Sequence, residues 1–216
     1  QVLIVNGYDR LDRSQNFKLP FLGGATTDHV WNRFNNSRDY VVQHHEAILA
    51  ARAGIHVESA SNEAIINGTL DLKAYDSVFW ILGRESTADH TLDASEQVLV
   101  EEFLAAGGNL LITGSELGYD LDRQNQGRGF FRSTLGASYV ADNANTHSIA
   151  TSSSGIFAGL PQFEFSDGSS FSSLDGQVYD VSSPDVLSPE SGAQAALLYS
   201  GGSGVAAVQK VGTTGQ

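Results

Sequence analysis

Cysteine is absent from the chain, which removes disulfides, thiolate metal sites and a cysteine nucleophile together. The absence leaves the compartment open, because many exported bacterial proteins also do without cysteine. Methionine is missing too, even at position 1, and Gln1 opens directly into a strand-like run. The chain therefore reads as a processed or excised piece from which any export signal has gone. Basic residues are scarce: 12 Lys and Arg stand against 25 Asp and Glu, for a formal net charge of −13 and an isoelectric point of about 4.6. Such a surface repels phosphate backbones and anionic headgroups, which argues against nucleic-acid and membrane-surface partners. No stretch reaches the roughly 20 apolar residues that span a bilayer. No phosphate loop and no Gly-x-Gly-x-x-Gly follows the first apolar run, so no nucleotide cofactor is expected. An acidic, lysine-poor surface rich in Ser, Gly, Asn and Asp favours a secreted, extracellular or cell-surface setting.

What is present is the apolar content of a folded protein, 41% of 216 residues. A chain of that length suits one domain that buries roughly 70% of its unfolded surface. Gln1–Gly7 is a short apolar run ending in glycine, the pattern of a buried strand. A polar loop of about 25 residues follows, long enough to be functional or a lid. Asp39–Gly54 sets Val41, His45, Ile48 and Leu49 on one helical face and stops at a glycine. Ile55–Ala60 and Ser77–Gly83 are the second and third strands. Asp93 and Glu96 have the spacing of a capping box, opening a helix through Val98, Leu99, Phe103 and Leu104 to Gly107-Gly108. Asn109–Ser115 is the fourth strand. Alternation of this kind predicts an α/β fold with a mainly parallel, flavodoxin-like sheet flanked by helices. Beyond Ser133 the strand-like pieces Ala137–Val140, Phe163–Phe165, Ala195–Tyr199 and Val205–Val208 predict a β-rich C-terminal extension of the same domain, antiparallel or at a mixed sheet edge.

In parallel sheets, ligands bind beyond the carboxyl ends of the strands. That rule gathers the loops after Asn6, Leu82 and Thr113. They read Val5-Asn6-Gly7-Tyr8-Asp9-Arg10, Trp80-Ile81-Leu82-Gly83-Arg84-Glu85-Ser86 and Thr113-Gly114-Ser115-Glu116-Leu117-Gly118-Tyr119-Asp120. With Tyr40-Val41-Val42-Gln43-His44 on the first helix, these words resemble the class I glutamine amidotransferase-like domain of secreted bacterial multidomain proteins. Those proteins are labelled xanthan lyase or N-acetylmuramoyl-L-alanine amidase. The resemblance covers about residues 1 to 210. It implies a flavodoxin-like fold, flanking domains in the same polypeptide, continuation into one more strand, and an extracellular setting around polysaccharide or peptidoglycan. True amidotransferases carry cysteine at the centre of a Gly-x-Cys-x-Gly turn. Here that position holds Glu116, so glutamine-dependent ammonia transfer through a thioester is excluded.

The candidate site follows from these turns. A strand-turn-helix elbow exposes its central side chain and turns N–H groups toward it. Glu116 is thereby a candidate general base, nucleophile or ligand-orienting acceptor, with its pKa expected to fall. Ser115 is a second candidate nucleophile, one position off the elbow centre, and would equally serve to cap the next helix. Of the two helix histidines, His45 sits among apolar residues like a packed core histidine. His44 lies on the polar flank and matches the resemblance, making it the candidate helper. His147 is a loop histidine with no visible partner. Asn6, Asp9, Arg10, Arg84, Glu85, Asp120 and Asp122 complete the set as candidate ligand-binding groups. Arg10, Arg13, Arg84, Arg123, Arg128 and Arg132 all follow strands, so one edge gathers guanidinium groups suited to planar anions such as uronates. The neighbouring acids Asp9, Asp12, Glu85, Asp120 and Asp122 offer the alternative that these arginines serve structural ion pairs. Asp120, Asp122 and Gln124, and likewise Asp142-Asn143, offer oxygen ligands without the EF-hand spacing or its closing Glu, so no metal is expected. Two readings compete: a hydrolase of amide or ester bonds in a glycan or peptidoglycan, and a non-catalytic saccharide-binding or domain-packing module.

Overall fold

The computed structural model describes residues 1–8, 17–20, 23–29, 40–165, 181 and 183–212. Asp9, Arg10, Arg13 and most of the long loop after the first strand lie outside the described residues. Part of that loop is a hairpin of β2 (Phe17–Pro20) and β3 (Thr26–His29), an element the polar sequence does not announce.

The first half is an all-parallel sheet of four strands: β1 (Val2–Asn6), β4 (Val57–Ser61), β5 (Ser77–Gly83) and β6 (Asn109–Gly114). Their order is β4-β1-β5-β6. The two inner strands are those whose sequences read as unbroken apolar runs, because an inner parallel strand is covered on both faces. Leu3, Val5, Val78, Trp80 and Leu82 point to one side, where they share a core with Ile65, Leu72, Val100 and Phe103. At roughly 1.5–3 kcal/mol for each large side chain withdrawn from water, this layer drives the fold. Helix α3 (Ala94–Ala105) covers it, and its capping box is realised: Glu96 N and Ser95 N donate to Asp93 Oδ1, and Asp93 N donates to Glu96 Oε2. Within this helix Val100 and Phe103 are buried, while Val98 is exposed. The short helix α2 (Asn62–Ile66) packs on α3. Its five residues are too few for a periodic sequence signal.

Helix α1 (Val41–Ala51) lies against β1. The stripe Val41, His45, Ile48 and Leu49 is only half-buried, and no residue of this helix is fully covered. The helix forms as the spacing predicts, yet it packs loosely.

The second half is a separate six-stranded antiparallel sheet, not an edge of the first. Its strands are β7 (Ala137–Ala141), β8 (Ser148–Thr151), β9 (Phe163–Glu164), β10 (Val186–Pro189), β11 (Ala193–Tyr199) and β12 (Gly204–Lys210). They run in the order β7-β10-β12-β11-β8-β9. Strands β8 and β10 carry only four residues each and escape the sequence pattern. Between the sheets lie two wide π-type helical turns, Tyr119–Arg123 and Phe130–Leu135. Leu121, Phe130, Phe131 and Ala137 join the core of the parallel sheet, with Leu187 and Val208 packed against it, so the two halves share an interior.

Register brings the strand ends together. Asn6 pairs with both Ser61 and Ile81, and Gly83 pairs with Gly114 after an irregularity between Ile81 and Gly83. Gly83 has φ 55°, and a Cβ there would lie 2.6 Å from the ring of the buried Tyr8. Both the left-handed backbone and the missing space demand glycine. Gly83→Ala is therefore expected to lower stability by about 2 kcal/mol, through backbone strain and overpacking. An unchanged urea midpoint would show that Tyr8 does not lock this turn.

Candidate functional site

The rim is made by three backbone ties at the carboxyl ends of the strands. Gly7 N donates to Ile81 O at 2.9 Å, Ser115 N to Gly83 O at 3.0 Å, and Glu85 N to Leu82 O at 2.9 Å. Asn6, Gly83 and Ser115 thus share one edge, as the parallel-sheet rule requires. Asn6 turns its side chain inward, with Oδ1 accepting from Tyr8 N at 3.3 Å.

The elbow at Gly114–Gly118 is built differently from its sequence expectation. Tyr119 N, at the start of the following helical turn, donates at 2.8 Å to Asp185 Oδ2. Asp185 N in turn donates to Ser115 O at 3.0 Å. An acid 66 residues downstream of Tyr119 therefore caps the elbow, in place of Ser115. The Ser115 hydroxyl donates to Gly83 O at 3.3 Å instead of capping the helix. A Cβ on Gly118 would come within 2.9 Å of Leu187 and 3.2 Å of the Asp185 carboxylate, so that glycine permits the close approach of β10.

Glu116 is half-buried, with Ser86 Oγ donating to it at 3.5 Å. Its carboxylate lies in a cluster with those of Asp142 and Asp185, one oxygen from each falling within 4.8 Å of the others. Asp185 is 6% exposed. Burial pushes its carboxyl up to about 8, reinforced by the charges of Glu116 and Asp142 and opposed by the Tyr119 and Gly118 N–H groups. Its main-chain oxygen accepts from the buried Tyr199 hydroxyl at 2.9 Å, and burial together with the Asp185 charge raises the Tyr199 pKa.

The remaining predicted residues divide between open and enclosed places. Glu85 is fully buried, inside the rim. Asp120, also fully buried, accepts from Thr91 N at 2.8 Å and Thr91 Oγ1 at 2.9 Å, with His90 Nδ1 3.2 Å away. Asp122, 2% exposed, accepts from Arg128 Nε, Arg132 Nε and Tyr139 N. Asp120 and Asp122 thus hold loops together, in contrast to the ligand contacts expected of them, and Arg128 and Arg132 take the structural alternative. Arg84 is half-buried and Arg123 exposed. His147 has a partner after all, Val181 O at 2.9 Å from Nε2.

A cleft of about 1300 Å³ opens along β6, lined by Tyr40, His44, Ser115, Asp185, Phe157 and Tyr199 among others. His44 and Ser115 therefore face one space. Nevertheless His44 Nδ1 donates to Tyr40 O of its own helix at 2.9 Å, and no hydrogen bond joins His44 to Glu116 or Ser115 among the described residues. Asp185, Asp142, Ser86 and Thr91 are the functional-region residues that sequence reading missed or discounted. Asp185 had one available signal, an acid after Pro184 at the mouth of an apolar pair, which marks a strand start and nothing more. Comparison with protein-family models, with curated proteins and with solved structures found no match.

Proposed function

We propose that this is a secreted, glycan- or peptidoglycan-associated domain that holds a saccharide in the cleft at the carboxyl ends of β5 and β6 without cleaving it. The observation that carries this reading is the engagement of the reactive groups. The Ser115 hydroxyl is directed to Gly83 O and the His44 ring to Tyr40 O. A serine nucleophile needs a base within hydrogen-bond reach, and neither arrangement supplies one. The cleft itself, with aromatic walls and a few polar groups, has the make-up of a binding site. Acceptors at its rim suit sugar hydroxyls. The extracellular setting is supported by the acidic, cysteine-free composition and by the resemblance of the three strand-end turns.

Hydrolysis of an amide or ester is the second reading, with Glu116 as the working carboxylate. What favours it is the approach of the Glu116 and Asp185 carboxylates, within 4.8 Å, since paired carboxyl groups at such spacing can share acid and base roles. Calorimetry against uronic-acid polysaccharides, acetylated polysaccharides and peptidoglycan fragments, combined with product analysis, separates the two. Binding is expected, weakened about tenfold in His44→Ala, a change in the wall of the cleft, with no product from either protein. Turnover that disappears in Glu116→Gln would transfer the site to the hydrolytic reading. Absence of binding to all three ligand classes would remove both.

A further inference from the structure

We propose that Glu116, Asp142 and Asp185 form a binding site for a hard divalent cation, calcium before magnesium. Three separate chain segments deliver these carboxylates, and backbone pairing fixes each one. Asp142 follows the last residue of β7 and Asp185 precedes the first of β10, and those two residues, Ala141 and Val186, are partners in the antiparallel register. Glu116 is brought up by the elbow, where Asp185 N donates to Ser115 O. The oxygens therefore converge before any ligand arrives.

An acidic cluster alone says little, since an acidic protein has many. The second observation is Asp185 itself. Its Oδ2 is held by Tyr119 N, while Oδ1 is buried and has no hydrogen-bond partner among the described residues. A buried acceptor without a donor costs about 1–3 kcal/mol, and the same carboxyl group brings an oxygen within 4.8 Å of one on Glu116 and one on Asp142, where like charges repel. A cation answers both conditions at once. The donor set is oxygen only, which selects calcium, magnesium or manganese over softer metals. Ligands of one calcium ion sit at about 2.3–2.6 Å from it and so up to about 5 Å from one another, which the cluster satisfies as it stands. Magnesium demands near-ideal octahedral geometry and gives up its water reluctantly, so a cage of protein carboxylates suits it less. Three carboxylates leave positions for water or for ligand oxygens, and such a site belongs with extracellular calcium modules of roughly 0.1–1 mM affinity.

The cation inference stands apart from the saccharide reading, because ion binding is measured with no glycan present. Scanning calorimetry with about 10 mM calcium chloride, against sodium chloride of equal ionic strength, is expected to raise the melting temperature of the whole chain by about 5–10 °C. Titration calorimetry should show saturation, with affinity at least tenfold weaker in Asp142→Asn, a change at an exposed position that leaves the core intact. Asp185→Asn should abolish binding. Asp71→Asn, an equal loss of charge before β5 at the other end of the strands, should bind as wild type does. No calcium-specific shift, or equal affinity in wild type and Asp142→Asn, would overturn the site and leave only diffuse attraction to an acidic surface.

Discussion

Asp122→Ala is expected to destabilise the protein by about 3 kcal/mol at pH 7, read as a lower urea midpoint with an unchanged slope. The Asp122 carboxylate is a junction between the two halves of the molecule. Oδ1 accepts from Arg128 Nε and Arg132 Nε, both at 3.0 Å. Oδ2 accepts from Tyr139 N at 2.8 Å and from Arg132 Nη2 at 3.2 Å. One side chain thereby ties both π-type turns to the first strand of the antiparallel sheet. Removing it takes the carboxylate acceptor from Arg132 and from the Tyr139 N–H, while Arg128 keeps only the Asp122 main-chain oxygen, 2.8 Å from its Nη2. The arginines are 46% and 48% exposed, so water recovers part of the loss, which places the estimate at the low end of about 3–5 kcal/mol for broken buried pairs. The effect has a pH signature. Burial pushes the Asp122 carboxyl up, but the Tyr139 N–H and the Arg132 and Arg128 guanidiniums outweigh it and hold the pKa below 3.8. A depressed folded pKa adds stability above the unfolded value and loses it as pH falls through the folded one. The difference between wild type and variant should therefore narrow as the pH falls below the ordinary carboxylate value of 3.8. A difference that is small at pH 7, or unaltered by acid, would show the junction to be dispensable.

The fold was legible wherever local pattern and tertiary demand coincide. Leu3, Val5, Val78 and Trp80 lie in runs apolar enough to be covered on both faces, and only the interior of a parallel sheet offers that. Asp93 and Glu96 announce α3 because a capping box is satisfied within four residues, with no help from elsewhere. Where tertiary context decides, the signal fades. The apolar stripe of α1 predicts a helix correctly but says nothing of how deeply it packs. Strands β8 and β10 are too short to show alternation, and their partners are set by long-range pairing. The candidate site divides the same way. Asn6, Gly83 and Ser115 could be placed at one rim because strand ends in a parallel sheet share a side. The environment of Glu116 could not, because its neighbours Asp142 and Asp185 arrive from the second sheet, whose topology the short pieces did not specify. Arg128 and Arg132 were legible as a choice between ligand and ion pair, and burial of Asp122 decides it.

Asp185→Asn is expected to make the cation-free protein more stable, an unusual direction for a buried acid. Asparagine keeps an oxygen for Tyr119 N and places an N–H₂ where the carboxylates of Glu116 and Asp142 can accept from it. It also ends the cost of ionising a carboxyl away from water. In the folded chain burial, with the nearby charges, lifts the Asp185 pKa to about 8, against an ordinary 3.8. The folded state therefore holds its proton more tightly than the unfolded one, and acid favours folding through this group. Its stability is complete below about pH 4 and declines as pH rises toward about 8. The full shift corresponds to about 4 kcal/mol at pH 7. Relaxation of the site reduces this, so a gain on the order of 2–4 kcal/mol, or about 5–10 °C in melting temperature, is expected at pH 8 and almost none at pH 4. A variant no more stable than wild type at pH 8 would falsify the account of Asp185 as a strained acid. Calcium supplies the complementary arm. A bound ion requires the ionised carboxylate that the empty site penalises, so adding it should stabilise wild type and leave the asparagine variant unmoved. The advantage of Asp185→Asn should then shrink or reverse in calcium at pH 8, where the proton competes far less for the same carboxyl group than it does in acid.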